Sequence, residues 1–495
     1  MGSWKWPGSR YEDQESTQPK LVVLRSSRCF IIVVVSFAAA TDVFMYGLIV
    51  PVTPTALQIR VGLSKGSVQA WASILLALNA AALLAFSPIF GYIADRSESR
   101  RCLYLLGLVA LGVATALLCA GTNIGLWIAG RIFQGAAAAV VWAVGMALMV
   151  DTVGKDGFGQ AVGYVSMAVS FRTVAGPLLG GVLYQYGGYY AVFGLAFGFI
   201  GLDIFLRLML IERKHAIKWL VPETRPLTTE QEATEKRAGE NPSSLLSSSD
   251  SYHNGGPQTD PSSRNALGRV AFLLSSPRLI VSLWGNFIIT LVLASFDSVL
   301  PLFVQGIFGW QQSGQGLIFI PLMVPHVLCP VTGLVIDKFP RACRYITAGA
   351  FLFSVPVMVL LRLITENSMR HKILLCALLA LLGLCFSVAI PPLYAEVFYA
   401  VKQNEDQTPG IFGRGGAMAL AFGLSNMGAA TGYLIGPFFA GFIRQQASWG
   451  TMGWALGLLA GVSSIPTLLF LGGWILREPV RSEVESRLSD TASGS

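Results

Sequence analysis

Apolar stretches of about 20 residues recur along nearly the whole chain, and each is long enough to carry a helix across a hydrocarbon layer of roughly 30 Å. They fall at 29–51, 69–91, 102–121, 124–150, 160–183 and 188–211, then at 278–304, 313–336, 345–363, 373–399, 415–442 and 450–476. In lipid, every backbone N–H and C=O must find its partner within the protein, and segments of this length do so as helices. The expectation is an all-α membrane protein of twelve transmembrane helices. Composition fits: 53% of residues are hydrophobic and 13% charged, against about 25% charged in an ordinary soluble domain.

Several function classes are disfavoured at once. The net charge of +8 does not point to nucleic acid, because the basic residues lie between apolar runs rather than on a solvated face with interleaved aromatics. The seven cysteines, Cys29, Cys102, Cys119, Cys329, Cys343, Cys376 and Cys385, sit inside or at the ends of those runs and read as packing residues. His215, His253, His326 and His371 show no metal-ligand spacing, and no GxxxxGK[ST] phosphate loop occurs. No metal, organic cofactor or ATP-driven step is therefore expected, and no nucleophile, base and ligand set converges as an enzyme would need.

Lys and Arg concentrate before the first segment and in every second loop, which by the positive-inside rule makes both termini cytoplasmic. Residues 1–28 and 477–495 are then cytoplasmic tails. Residues 212–275 include NPSSLLSSSDSYHNGGPQTDPSSRN, a composition that cannot bury enough apolar surface to fold, so this stretch is expected to be a disordered cytoplasmic linker. It separates two groups of six segments, 29–211 and 276–476, which echo one another. GYIADR at Gly91 to Arg96 returns as GLVIDK at Gly333 to Lys338, and AGPLLGG at Ala175 to Gly181 returns as IGPFFAG at Ile435 to Gly441. Parallel six-helix repeats are a known transporter architecture, with the substrate site at their interface.

GYIADRSESRR, between the second and third segments, resembles the loop of the major facilitator superfamily, and the chain is most similar to its twelve-helix drug:proton antiporters. Gly91, Asp95, Arg96, Arg100 and Arg101 match that loop, while Glu98 stands where the family has a second glycine. A carboxylate beside guanidinium groups at a helix end can cap a neighbouring helix and pair across two bundles. The resemblance thus implies a cytoplasmic gate of these residues together with Asp151, Asp337, Lys338 and Glu396. The plainer alternative is a solvated charge cluster that obeys only the topology rule.

In the fourth segment, Arg131, Gln134 and Gly135 match the family's R-x-x-q-G pattern, and an intramembrane arginine is costly enough to read as functional unless it snorkels. In the fifth, Gly176, Pro177, Gly180 and Gly181 match the antiporter pattern g-x-x-x-G-P-x-x-G-G, a face for close helix packing that Gly436 and Pro437 repeat in the second half. Its first glycine is replaced by Arg172, which by depth could pair with Asp42 of the first segment. TDVFMYGLIVPVTP and FDSVLP resemble the vesicular amine transporter branch, and place Asp42 and Asp297 at its acids. That branch's lysine and second acid fall on Asn79 and Asn426, so amine specificity does not carry over. Tyr46 and Phe296 neighbour the two acids and are expected to line a cavity with them. Asp203 and Arg207, spaced i,i+4, read as a structural pair near the cytoplasmic face. The resemblance implies proton-coupled efflux of a small amphipathic organic molecule by a monomer, with the proton gradient as energy source. The alternatives are an inward facilitator or proton symporter, or a sensor on the same fold. The expected membrane is the plasma membrane, or else a vacuolar or other acidic-compartment membrane.

Overall fold

The computed structural model describes residues 25–97, 99–154, 157–210, 266–412 and 416–474. Helix α1 spans Arg28–Ile49 and is followed, after a short helix at Thr53–Ile59, by α2 (Lys65–Arg96), α3 (Arg100–Ala120) and α4 (Ile124–Val153). Phe158–Met209 then runs as 52 helical residues, about 78 Å at 1.5 Å per residue and more than twice a membrane's thickness. The run turns at Gly188, whose φ of 75° and ψ of −173° suit a residue without a Cβ. Its arms are α5 (158–187) and α6 (189–209). Tyr189 Oη donates to Leu118 O at 2.6 Å near the bend, whereas Arg25 Nε reaches Met209 O at 2.6 Å, so α6 returns to the face from which α1 starts. That face is called the terminal face below, and the opposite one the far face.

The second half contains α7 (Pro277–Phe308), α8 (312–338), α9 (Ala342–Leu360), α10 (Met369–Gln407), α11 (Met418–Gln446) and α12 (Trp449–Phe470). Among the described residues, eleven helical runs are long and apolar enough to span a membrane, and the folded-back run counts twice. The twelve crossings are those expected. Helix α8 is assembled from pieces, with a 3-10 stretch at Val324–Leu328 between α-helical turns. Pro321, Pro325 and Pro330 lie in this region, and each removes an N–H that a continuous helix would use.

One expectation is corrected at the linker. Residues 211–265 lie outside the described residues, but Ala266–Leu274, at the end of the stretch read as disordered, is a helix. Its sequence ALGRVAFLL has an apolar face: Leu273 is fully buried and the Phe272 ring meets Phe412 at 5.7 Å. The polar composition of the preceding residues masked this short periodic segment.

Among the described residues, packing divides into three apolar cores. One crosses between the halves at the terminal face, where Phe158 of α5 meets Phe398 of α10 at 5.2 Å and Phe422 of α11 at 5.8 Å. Toward the far face the halves keep separate cores, one around Phe44, Trp127 and Phe193, the other around Phe296, Phe303 and Trp449. Two six-helix bundles joined at the terminal face and parted beyond it leave a recess between them.

Candidate functional site

At the closed face, two carboxylates each close a helix in the opposite bundle. Helix α11 begins with no side-chain cap of its own, and Asp95 at the end of α2 accepts from Ala419 N and Leu420 N, both at 2.9 Å. Helix α5 likewise has no cap of its own, and Asp337 at the end of α8 accepts from Gly159 N at 2.8 Å and Gln160 N at 2.9 Å. The first N–H groups of a helix lack intrahelical acceptors and carry positive partial charge, so an anion placed there is doubly favoured. The approach requires glycine. A Cβ on Gly91 would lie 2.6 Å from Ala419 O, and one on Gly333 would lie 2.1 Å from Gly159 O. Arg100 supports Asp95 at 3.8 Å and Asp151 at 3.1 Å, and Asn426 donates to Ser87 Oγ across the same interface at 2.8 Å.

Other residues expected at this gate stand elsewhere. Glu396 is buried within its own bundle, bonded by Arg278 and by Gly472 N, because α10 faces α7 and the end of α12 there. Arg96 is exposed, with its guanidinium 4.6 Å from the ring of Tyr92 one turn back. Arg101 donates to Leu208 O at 2.6 Å at the end of α6. Lys338 is exposed.

Asp297, Tyr46 and Tyr433 lie well inside α7, α1 and α11, yet all three are exposed and face the recess. They form one electrostatic neighbourhood, since Tyr433 senses Asp297, Tyr394, Tyr46 and Asp42. Asp297 has no hydrogen bond or ion pair among the described residues. An exposed carboxylate within a membrane span is unusual enough to mark a functional position. Phe296 does not share this recess: it is fully buried and meets Trp449 edge-on at 6.2 Å. Adjacent helix residues point about 100° apart, so Asp297 and Phe296 cannot both face the opening.

Asp42 is buried rather than exposed, with the indole of Trp142 as its hydrogen-bond neighbour. The expected Asp42–Arg172 contact falls on a side chain outside the described residues. Arg131 is fully buried; it donates to Gln134 Oε1 at 2.9 Å and to Thr53 Oγ1 at 3.5 Å, and lies 5.8 Å from the ring centre of Tyr46. Among the described residues its Nε has no hydrogen-bond partner and no carboxylate pairs with the guanidinium. Asn79, in place of the branch's lysine, donates to Arg131 O at 3.4 Å.

The packing glycines divide clearly. Gly176 and Gly180 of α5 meet α1, where a Cβ on Gly180 would lie 2.3 Å from Leu48 O, and the Pro177 ring fills the space beside Gly47. Gly135 meets Asn79 O and Gly436 meets Leu291 O in the same way, while Pro437 lies within α11. Gly181 faces open space and is not a packing glycine. Asp203 and Arg207 form an i,i+4 ion pair, and both are buried, at 0% and 1% exposure. Sequence reasoning missed Ser87 and Tyr394: a serine and a tyrosine in apolar runs give no signal until the fold shows what they face.

A family model described as Major Facilitator Superfamily matches residues 32–413. The chain belongs to this superfamily. An MFS-type transporter of Metarhizium rileyi is 31% identical over 466 residues, spanning 90% of this chain and 96% of that protein. A second, from Schizosaccharomyces pombe and described as uncharacterized, is 32% identical over 443 residues, 89% of this chain and 95% of its own length. The solved structure of the proton:xylose symporter XylE covers 91% of this chain and 98% of its own, with TM-score 0.66 at 13% identity, a likeness of fold alone. As a major facilitator protein the chain is a multi-pass secondary transporter, not an enzyme. As such it carries a small-molecule substrate across the membrane.

Proposed function

We propose that this transporter exports a small amphipathic organic molecule from the cytoplasm in exchange for protons, as a drug:proton antiporter does. The observation that carries the reading is Asp297, a carboxylate without a partner among the described residues, exposed in the recess of a membrane-spanning helix. Such a group can hold a proton or a substrate's donor and exchange one for the other as the recess changes sides. Asp42, buried on α1 beside Trp142, is the second proton-handling acid in this reading. The terminal face is cytoplasmic in this reading, and Asp95 and Asp337 are the latches that hold it shut. The recess wall combines tyrosine rings with few charges, which suits an amphipathic solute.

The test uses purified protein in liposomes with an entrapped pH dye, challenged with a panel of amphipathic cations, anions and neutral compounds. Wild-type protein is expected to release protons on addition of a substrate, with Asp297→Asn and Asp42→Asn folded but unable to couple. Substrate flux without proton movement would identify a facilitator, and protons moving in the substrate's direction a symporter.

A further inference from the structure

The short helix Ala266–Leu274 lies on the closed terminal face and touches both bundles. Two residues join it to α7, where Ser275 N donates to Ala271 O at 3.0 Å and Ser276 N to Leu273 O at 3.2 Å, so it is fixed to the start of the second bundle. Arg269, Phe272 and Leu273 form its inner face, at the i, i+3, i+4 spacing of one helix side. Leu273 is fully buried in the apolar core that crosses between the halves, and the Phe272 ring meets Phe412 edge-on at 5.7 Å. Arg269 is buried as well, with Nη1 3.5 Å from Gly416 O and its guanidinium 5.9 Å from the ring centre of Tyr92 on α2. Both of these partners adjoin a latch. Tyr92 lies one turn before Asp95, and Gly416 lies just before Ala419, which donates to Asp95.

The residues of this face act against one another. Burial of Leu273 and Phe272 favours docking of the helix. Burial of Arg269 opposes it, because a hydrogen bond at 3.5 Å and a ring centre at 5.9 Å are both at the outer limit of such contacts. Among the described residues its Nε has no hydrogen-bond partner, so little of the guanidinium's lost hydration is recovered. Leu267, on the outer side, is exposed. The helix thus turns a charge inward where an apolar side chain would hold it more firmly. We infer that Ala266–Leu274 is a releasable strap across the terminal face: Leu273 and Phe272 hold it down, and Arg269 keeps the hold weak enough to break as the bundles part. The inference rests on the terminal face being a gate latched by Asp95 and Asp337, as proposed above. When the gate opens, Tyr92 leaves with the first bundle, the core around Leu273 divides and Arg269 regains water. Release needs no unfolding, since the strap stays with α7.

The experiment needs no substrate. Full-length, cysteine-free protein carrying Ser87→Cys at the interface is placed in liposomes and labelled by an impermeant maleimide from the terminal face. Leu273→Ala is expected to speed labelling by about fivefold or more, because a truncated core residue leaves a cavity in the closed state. Arg269→Met, which keeps an extended side chain without its charge, is expected to slow labelling by about threefold or more. Leu273→Met conserves volume and is expected to stay near the parent rate. Opposite changes from two residues on one helix face are not what general loosening produces, since a loosened protein is labelled faster in both variants. An unchanged rate in folded Leu273→Ala, or an unchanged or faster rate in Arg269→Met, overturns the inference. If Leu273→Ala does not fold, Arg269→Met decides by itself. Asp95→Ala separates the two readings: faster labelling there with the strap variants unchanged removes only the strap, whereas no change in any of them removes the latch as well. Export and proton coupling are judged separately, in the liposome flux assay.

Discussion

Gly180 and Gly181 are adjacent, belong to the same pattern, and do opposite work. A methyl on Gly180 would press on the Leu48 carbonyl of α1 at 2.3 Å, and backbone on both sides leaves nothing able to yield except the helix spacing. Gly180→Ala is expected to lower stability by about 1–3 kcal/mol, the usual range for overpacking. Gly181→Ala meets open space and is expected to be neutral or to gain about 0.5–1 kcal/mol from helix propensity. Thermal unfolding of the two variants in the same detergent checks this, and equal melting temperatures would refute the packing assignment. The motif placed this face in the chain correctly, but which glycine touches α1 depends on helix rotation. The same rotation sends Asp297 into the recess and Phe296 into the core.

Paired elements close the terminal face: the end of α2 on the start of α11, and the end of α8 on the start of α5. Hydrogen bonds to a charged acceptor contribute about 1.5–3 kcal/mol, so removing one carboxylate is expected to shift the balance toward opening by about tenfold or more. In a cysteine-free background with Ser87→Cys at the interface, Asp95→Ala and Asp337→Ala should each raise the rate of labelling by an impermeant maleimide from the terminal face. Unchanged rates in both would show that the apolar core around Phe158 and Phe422 closes this face by itself. The repeated GYIADR and GLVIDK segments made the two acids legible in sequence. Glu396 was misassigned because depth along a helix says nothing about which neighbour a side chain meets.

For the whole molecule, the arithmetic of exchange sets what the transporter can achieve. One proton per substrate contributes about 1.4 kcal/mol per pH unit and about 2.3 kcal/mol per 100 mV, together enough for a gradient of a few hundredfold for a neutral substrate. In liposomes, collapsing the pH difference or the potential separately is expected to remove part of the accumulation, and collapsing both to remove all of it. Accumulation that survives both treatments would exclude proton coupling.

The sequence by itself determined the class of fold. Runs of about 20 apolar residues leave a chain in lipid almost no choice but helices, and the internal repeat divides them into two bundles. It also marked the costly residues, Asp42, Asp297, Arg131 and the loop acids, since polar groups stand out against an apolar background. Only the tertiary structure decided what each one faces. Asp297 opens into the recess while Asp42 is buried beside Trp142, and the Asp203–Arg207 pair is buried against Tyr104. The physical reason is that hydropathy fixes whether a segment crosses the membrane, whereas partner choice depends on helix rotation and crossing, which arise from close packing at particular glycines.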